Sequence, residues 1–530
     1  MTQGEGSSDL GGLGNNDDVT LPPTPVELVT PRPAPRRRSP LRWLAPLLGL
    51  LLVAAIVAEA VTVPPASSAA AEVEQDPAAA GIWYCPVTAE PGQSAVVSIA
   101  ATGTQESSVA VVRHTSEGVV GDDTLTTVPA GSQRDVVLEA AEAQQPVSVR
   151  WSGGPSIVTW RTEGDGALAA PCAAGPSPVW YLSGLDTANG SRSTLHLFNP
   201  FAVDAVARIT FTTPEGPTTL VSTESELVPA GTSRRIDIAT DLQQPEVADL
   251  GVVVEVRSGR LVVQGEVRYE PAAGQTGPTG RALVPAAEEP AEAWAFGFAQ
   301  ADDRSSSWLS IMNPGEREAA VEIQVSEPLE ESQLLDEVSV PAGGTYRVPL
   351  AGSSSEPTFG VEVLAVNDIG VVATRTTALV TEDDRRGVAA SLGAAPAESW
   401  ALAGGGTDGR ASFVDIYNPG PTPVTARMSA GPGTPADWSA IEVGVNQRVS
   451  VDLAEVADDA PHISVTVSAD GPIVTELRSS RDAGALRSWT SVGVPATRYT
   501  GAPTRPPVRR DPALSTEPLG QPGDEESEAP

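Results

Sequence analysis

The sequence predicts an all-β protein: four tandem Ig-like antiparallel β-sandwich repeats following one transmembrane helix. Three observations predict it. The first is internal repetition. Trp180 and the run from Ser193 to Asn199–Pro200 return as Trp294 with Ser307 to Asn313–Pro314, and again as Trp400 with Ser412 to Asn418–Pro419. A weaker copy starts at Trp83–Tyr84. The period of about 100 residues is a usual size for one sandwich with its own core. The second is period-two alternation, as at Leu195 and Leu197 and again at Val203 and Ala205, which marks half-buried strands. The third is composition: 50 Gly and 49 Pro in 530 residues suit many turns and disfavour long helices. A β-propeller with two four-stranded blades per repeat is the alternative arrangement.

Taken in order, residues 1–40 are polar and Pro-rich and predict a disordered cytoplasmic tail. Residues 41–63 form the transmembrane signal-anchor, an apolar run long enough to cross a hydrocarbon core of ~30 Å. Arg36, Arg37, Arg38 and Arg42 precede it, and the positive-inside rule places that flank in the cytoplasm. The rival reading is a signal peptide cleaved near Ala60, after the Ala58–Glu59–Ala60 pattern, with a secreted product. An Ala/Ser/Pro linker covers residues 64–80. The repeats span 81–173, 178–287, 292–396 and 398–500, and residues 501–530 form a second disordered tail.

Each repeat reads alike. An aromatic strand begins at the Trp, and an alternating strand ends at Asn–Pro, where Pro fixes φ and Asn makes the turn. A further strand leads to Val–Pro–Ala–Gly at 128–131, 228–231 and 340–343, degraded to Val–Gly–Val–Asn at 443–446. An Arg-led strand follows. A hairpin is expected next, such as 252–256 turning at Ser258–Gly259 into 261–267. A last strand runs through Pro–Ala into the next Trp. Cys85 and Cys172, the only cysteines, open and close the first repeat. In an extracytoplasmic compartment they predict a disulfide clasp.

Chemistry-bearing constellations are scarce. The net charge of −35 repels phosphate backbones and argues against nucleic acid as a partner. Gly404, Gly406 and Gly409 match a dinucleotide fingerprint but lead into a strand, so no helix N-terminus awaits a pyrophosphate. His114, His196 and His462 fall in three different repeats without metal-ligand spacing. A triad of Ser193, His196 and Asp204, a carboxylate pair of Glu255 and Glu266, and calcium at Asp186, Asn189, Asp302, Asp303 or Asp408 are each weighed against plain turn and surface roles. The plain roles are preferred: no catalytic residue, no metal and no cofactor is expected. An Arg near the end of the penultimate strand recurs as Arg161, Arg268, Arg375 and Arg478, and predicts a structural ion pair or stacking on the Trp. Trp83, Trp180, Trp294, Trp400 and Trp489 are the candidate ligand or inter-module contacts.

The Trp-led copies, Asn–Pro, Val–Pro–Ala–Gly and the Pro–Ala joins, behind a signal-anchor, resemble a family of uncharacterised actinobacterial membrane-anchored secreted β-domain proteins, a domain of unknown function. The resemblance covers residues 81–500. It implies an actinobacterial cell envelope and assigns no activity or functional residue. The first copy departs from the pattern, with Ala100–Ala101 in place of Asn–Pro. The expected function is a non-enzymatic, single-pass cell-envelope protein whose extracytoplasmic repeats act as a structural or interaction module. Its expected partners are the membrane and an envelope protein or cell-wall glycan. A carbohydrate-binding array is the alternative, and a glycan hydrolase the third reading.

Overall fold

Each repeat is a two-sheet sandwich, shown most simply by the eight strands of the first: β1 (Ala80–Cys85), β2 (Ala95–Ala101), β3 (Ser107–Thr115), β4 (Gly118–Val128), β5 (Gln133–Leu138), β6 (Val147–Gly153), β7 (Ser156–Thr162) and β8 (Ala169–Pro171). One sheet has the order β1-β6-β3-β4 and the other β5-β2-β7-β8. The computed structural model describes residues 80–499, apart from 116–117, 163–167, 244–245, 274, 327–332, 381–385, 458 and 484. The signal-anchor at 41–63, with Arg36, Arg37, Arg38 and Arg42, lies outside the described residues. Among the described residues no helix is long and apolar enough to cross a membrane. The sheets form sandwiches and not propeller blades.

The turns follow from the motifs. In Val–Pro–Ala–Gly the residue after Gly donates its N–H back to the Pro carbonyl, at 3.2 Å for Ser132 and 3.3 Å for Thr232. That closure needs a left-handed third residue, and Gly131, Gly231 and Gly343 have φ of 61°, 72° and 61°. In the fourth repeat Asn446 takes the position at φ 52°, which Asn tolerates better than other side chains. The Asn of Asn–Pro is a buried staple. Asn313 donates to the carbonyls of Arg317 (2.7 Å) and Val340 (3.0 Å) and accepts from the Gly315 N–H (2.9 Å). Asn199 and Asn418 repeat this geometry, so the amide ties the turn to the strand before Val–Pro–Ala–Gly. In the first repeat the Asn position is Ala101, one residue later than the match of Ala100–Ala101 to Asn–Pro places it, and it keeps the backbone bond, to Ser132, without the staple.

The expected last hairpin is not formed. β6 and β7 belong to different sheets, and so do Leu250–Ser258 and Val262–Tyr269, and Thr358–Ala365 and Val372–Val380. The chain arches over the sandwich edge. In the fourth repeat one bent strand, Ile463–Ala483, pairs in both sheets. The reason is backbone accounting: β6 already has β1 and β3 as neighbours, and β7 has β2 and β8, so neither has a free edge for the other. Glu255 and Glu266 therefore stand in opposite sheets, not side by side.

Four apolar clusters form the cores, one per repeat, and each borrows from its neighbours. Ala401, Ala403, Val494 and Tyr499 of the fourth repeat belong to the cluster of the first. Val388 and Ala390 of the third belong to that of the second. Between the second and third repeats one parallel bridge, Thr213 to Gly344, fuses two sheets into nine strands. The Trp strands of the second and third repeats lie on the outer face of the next repeat's second sheet. Gly184 makes this possible between repeats two and three: a Cβ there would meet Thr374 at 3.2 Å, and the residue has φ of 84°. The Trp strand of the fourth repeat lies in the same way on the first. The four repeats thus close into a ring, and their described residues form one compact unit.

Candidate functional site

The four Trp residues define the hub of the ring. Trp83 Nε1 donates to the Ser156 carbonyl (2.7 Å), Trp180 to Leu261 (3.0 Å), Trp294 to Val371 (2.7 Å) and Trp400 to Ile473 (2.9 Å). Each acceptor lies where the chain crosses from one sheet to the other, so each indole pins its own arch. All four rings are buried, Trp294 being the most accessible at 7 %. Trp489 lies in the last strand, Ala485–Val492; its side chain is outside the described residues.

Beside each Trp the chain returns from the last strand and pairs with the Trp strand. Ala173 bridges Tyr84, Ala287 bridges Tyr181 and Ala394 bridges Ala295, while Val494 pairs with Ala401. These are the Pro–Ala joins. In the first repeat Cys85 and Cys172 form a disulfide next to the bridge. The four joins line an open pocket of about 490 Å³ at the centre of the ring. Its wall is Pro171, Ala174, Pro285, Ala286, Ala395 and Pro495 with the four Trp residues, and Glu288, Glu289 and Arg498 stand among the lining residues. A volume in this range and an apolar lining with few polar groups are the usual marks of a binding pocket.

Around the hub each seam carries charge. Between repeats three and four, Arg375 and Glu476 pair at 2.7 Å with both side chains wholly inaccessible, and Ser391 donates to the same carboxylate at 2.8 Å. Burial nonetheless pushes the Glu476 carboxyl up. Asp415 there holds Arg448 and Arg478, the latter at 2.8 Å. Between two and three, Arg347 reaches Asp186 at 3.1 Å and Asp249 at 3.8 Å, and burial raises the Asp249 pKa to about 6 against the pull of Arg347. Between one and two, Glu90 takes Arg268 and Arg281. Arg281 also meets Glu266 at 2.7 Å. Burial pushes Glu266 up, but the hydrogen bond from His196 and the charge of Arg281 outweigh it and bring its pKa to about 2. A polar cleft of about 400 Å³ opens here, between Glu90, Arg192, Arg235 and Asp237. Between four and one, His462 Nδ1 lies 3.2 Å from Asp135, which also holds Arg161.

These seams absorb most of the residues singled out in the sequence. The three histidines all stand at seams: His114 bonds Ser148 at 2.9 Å and meets the Phe198 ring edge-on at 4.9 Å. Ser193 exchanges hydrogen bonds with the Asp186 backbone at 2.8 Å, and Asp204 accepts from the Ala230 N–H, so Ser193, His196 and Asp204 are not brought together. Asp302 caps its own loop through the Arg304 and Ser305 N–H groups, and Asp408 holds Arg410. Among the described residues no group of three His, Cys, Asp or Glu side chains is arranged to hold a metal.

The recurrent arginines are not equivalent. Arg161 stands opposite Val96 and Arg478 opposite Phe413, both five residues before the Asn position. The same place holds Glu266 in the second repeat and Thr376 in the third. Arg375 is one residue earlier, opposite Leu309 on the core face, and Arg268 two residues later. Each nonetheless makes the expected ion pair, Arg161 with Asp135, Arg268 with Glu90, Arg375 with Glu476 and Arg478 with Asp415. Arg375 and Arg478 also lie over Phe298, at 5.4 and 4.8 Å. Sequence reasoning missed the seam acids Asp135, Asp415 and Glu476. Their signal was a charge in an otherwise apolar strand, as in Ile473–Val–Thr–Glu476–Leu477.

A family model matches residues 148–374 and 356–488. The first match begins in β6 and ends in the β7-type strand of the third repeat, so it spans seams as well as sandwiches. No curated protein matches the chain. With residues 148–488 of 530 covered, the chain belongs to DUF5719, a family of unknown function.

Proposed function

We propose that this chain is a non-catalytic, membrane-tethered cell-envelope protein whose ring of repeats is a rigid interaction module, with the axial pocket as its recognition element. The observation that carries the reading is the convergence of four Pro–Ala joins on one apolar cavity. Ion pairs such as Arg268–Glu90, Arg347–Asp186 and Arg375–Glu476 cross seams, which suits a scaffold holding a pocket in shape. The extracytoplasmic placement rests on the apolar run at 41–63 and the arginines before it.

Glycan binding is the second reading. The Trp rings give it little support, since their indole N–H groups are committed and their faces buried. The polar cleft between Glu90, Arg192, Arg235 and Asp237 favours it instead. Co-sedimentation of the chain with purified envelope fractions over a salt series tests both. Salt-resistant, saturable binding lost in Ala395→Trp supports the pocket. Binding lost in Arg192→Ala with Arg235→Ala, and kept in Ala395→Trp, transfers the function to the cleft. Absence of saturable binding to any fraction removes the recognition role.

A further inference from the structure

We propose that the polar cleft between the first and second repeats is a saccharide site for an uncharged sugar unit, built where the second repeat lacks a ring that two other repeats carry. This deepens the glycan reading and rests on the cleft alone, so it stands apart from the axial pocket.

Register makes the second sheets of the four repeats comparable. Thr194 lies opposite Asp237 on one side and Glu266 on the other. The equivalent place holds Val96 in the first repeat, Trp308 in the third and Phe413 in the fourth. Val96 is buried. The two rings are each covered by an arginine, Trp308 by Arg347 at 5.6 Å and Phe413 by Arg478 at 4.1 Å. Arg235 is the counterpart of Arg347: it stands opposite His196 as Arg347 stands opposite Ser310. It has no ring to cover, because Thr194 takes that place. It lies 4.0 Å from Glu266, beyond hydrogen-bonding distance, and Glu266 is already held by Arg281 at 2.7 Å. The Trp strand before this face also stops short. It ends at Cys85, before Pro86, and Glu90 and Gln93 beyond it bond Arg268 and Arg281. Arg192 and Arg235 keep 66 and 42 % of their side chains exposed. What remains is a cleft of about 400 Å³ with Thr194 and Glu266, 4 and 3 % exposed, as its floor. That volume falls in the usual range of ligand sites.

The lining selects the ligand's chemistry. Three guanidinium groups and four carboxylates line the cleft, and Arg281, paired with Glu90 and Glu266, makes the count even. An anionic ligand would meet Asp237 and Asp241, and a cationic one Arg192 and Arg235. A sugar hydroxyl accepts and donates at once, so it can bridge a guanidinium and a carboxylate. Two of the acceptors are fixed in advance. Asp237 takes the Thr240 N–H at 3.0 Å and Asp241 takes the Asp237 N–H at 2.9 Å, which lowers the ordering cost of binding.

The test is calorimetric titration of the full chain with neutral glucan, mannan and galactan oligomers, and with a polygalacturonate oligomer as the acidic counterpart. At least one neutral oligomer is expected to bind saturably, with little change between about 50 mM and about 0.5 M salt. Thr194→Trp supplies the side chain of the third repeat and is expected to abolish binding. Arg235→Gln is expected to weaken it at least about tenfold, the loss of one charge-assisted hydrogen bond. Ala395→Trp, in the axial pocket, should leave it unchanged. Should Thr194→Trp lower the melting temperature, the half-exposed Arg235 decides the matter through Arg235→Gln. No saturable binding of any neutral oligomer overturns the proposal, as does stronger binding of the acidic one. Binding that survives both cleft substitutions, or that Ala395→Trp abolishes, overturns it too. Envelope binding lost in Ala395→Trp, with no oligosaccharide bound, would keep the axial pocket and remove only the cleft.

Discussion

The seam between the third and fourth repeats and the seam that closes the ring, between the fourth and the first, are built on one plan and differ in strength. In both, a Trp strand lies on the outer face of the next second sheet. The first buries Arg375 and Glu476 completely. The second relies on Ala401 and Ala403 against the core of the first repeat, the Gly404 N–H on Gln133 Oε1 at 2.8 Å, and His462, 40 % exposed, on Asp135. Consecutive repeats are also tethered by a short join, which holds their seam at high effective concentration. The closing seam has no such tether. It should be the first part of the ring to open, and His462–Asp135 is more open to solvent than Arg375–Glu476.

The largest break in this comparison comes from the disulfide, which braces the repeat on one side of the closing seam. Cys85→Ala with Cys172→Ala frees a loop with a sequence separation of 87. By loop-entropy reasoning this costs about 4–5 kcal/mol, less any native strain. Denaturant titration should show it, and hydrogen exchange should rise along Ala397–Gly405 before it rises along Ala293–Gln300. Arg375→Met comes next. It strands the Glu476 carboxylate in the interior and is expected to cost about 3–5 kcal/mol, with exchange now rising first at the third-to-fourth seam. An unchanged melting temperature would mean that this pair is not what holds the seam.

Asp249→Asn should stabilise. The Asp249 pKa is raised in the folded protein to about 6, so the folded state holds the proton more tightly and its stability falls as pH rises from the unfolded value near 4 through 6. Asn removes that penalty and keeps the backbone at φ 66°, which Asn accepts. The gain at pH 8 is about 2–3 kcal/mol and should vanish below pH 4. Thermal melts at both pH values check it.

The smallest effect is at His462. The hydrogen bond to Asp135 raises its pKa, so its contribution is complete below the unfolded value near 6.5 and is lost as pH rises through the folded one. Burial pushes Asp135 up, but His462 and Arg161 hold it low, so that half of the pair fails only in acid. Exchange of the Gly404 amide, corrected for intrinsic rate, should therefore quicken from pH 6 to pH 8.5, and His462→Ala should flatten the profile. A profile unchanged by the substitution would show that His462 does not gate the seam.

Much of each sandwich was legible from residue types alone. A Gly or Asn at the third place of a turn, a Pro that fixes φ and an alternating apolar strand act over a few residues, and their geometry is local. The Asn staple and the Val–Pro–Ala–Gly turn fall where their chemistry demands. The last hairpin did not, because local sequence shows that a strand must pair but not with which partner. The recurrent arginines do pair with acids, Arg161 with Asp135, Arg268 with Glu90, Arg375 with Glu476 and Arg478 with Asp415, but their places were not legible for a related reason. Arg375 and Arg478 look alike in a list of residues, but register sends one to the core face and the other outward.

The sequence by itself determined the number of repeats, the all-β class, the position of the turns and the cysteine pair. The tertiary structure alone decided the arches, the ring and the pocket at its hub. The repeats fold by local periodicity, and periodicity is printed in the chain. A ring closes because the outer face of one repeat fits the Trp strand of the one before it, and that fit depends on a glycine here, an alanine there and a buried carboxylate opposite an arginine about 100 residues away. Such matches have no period. They exist only once all four repeats are folded and brought face to face.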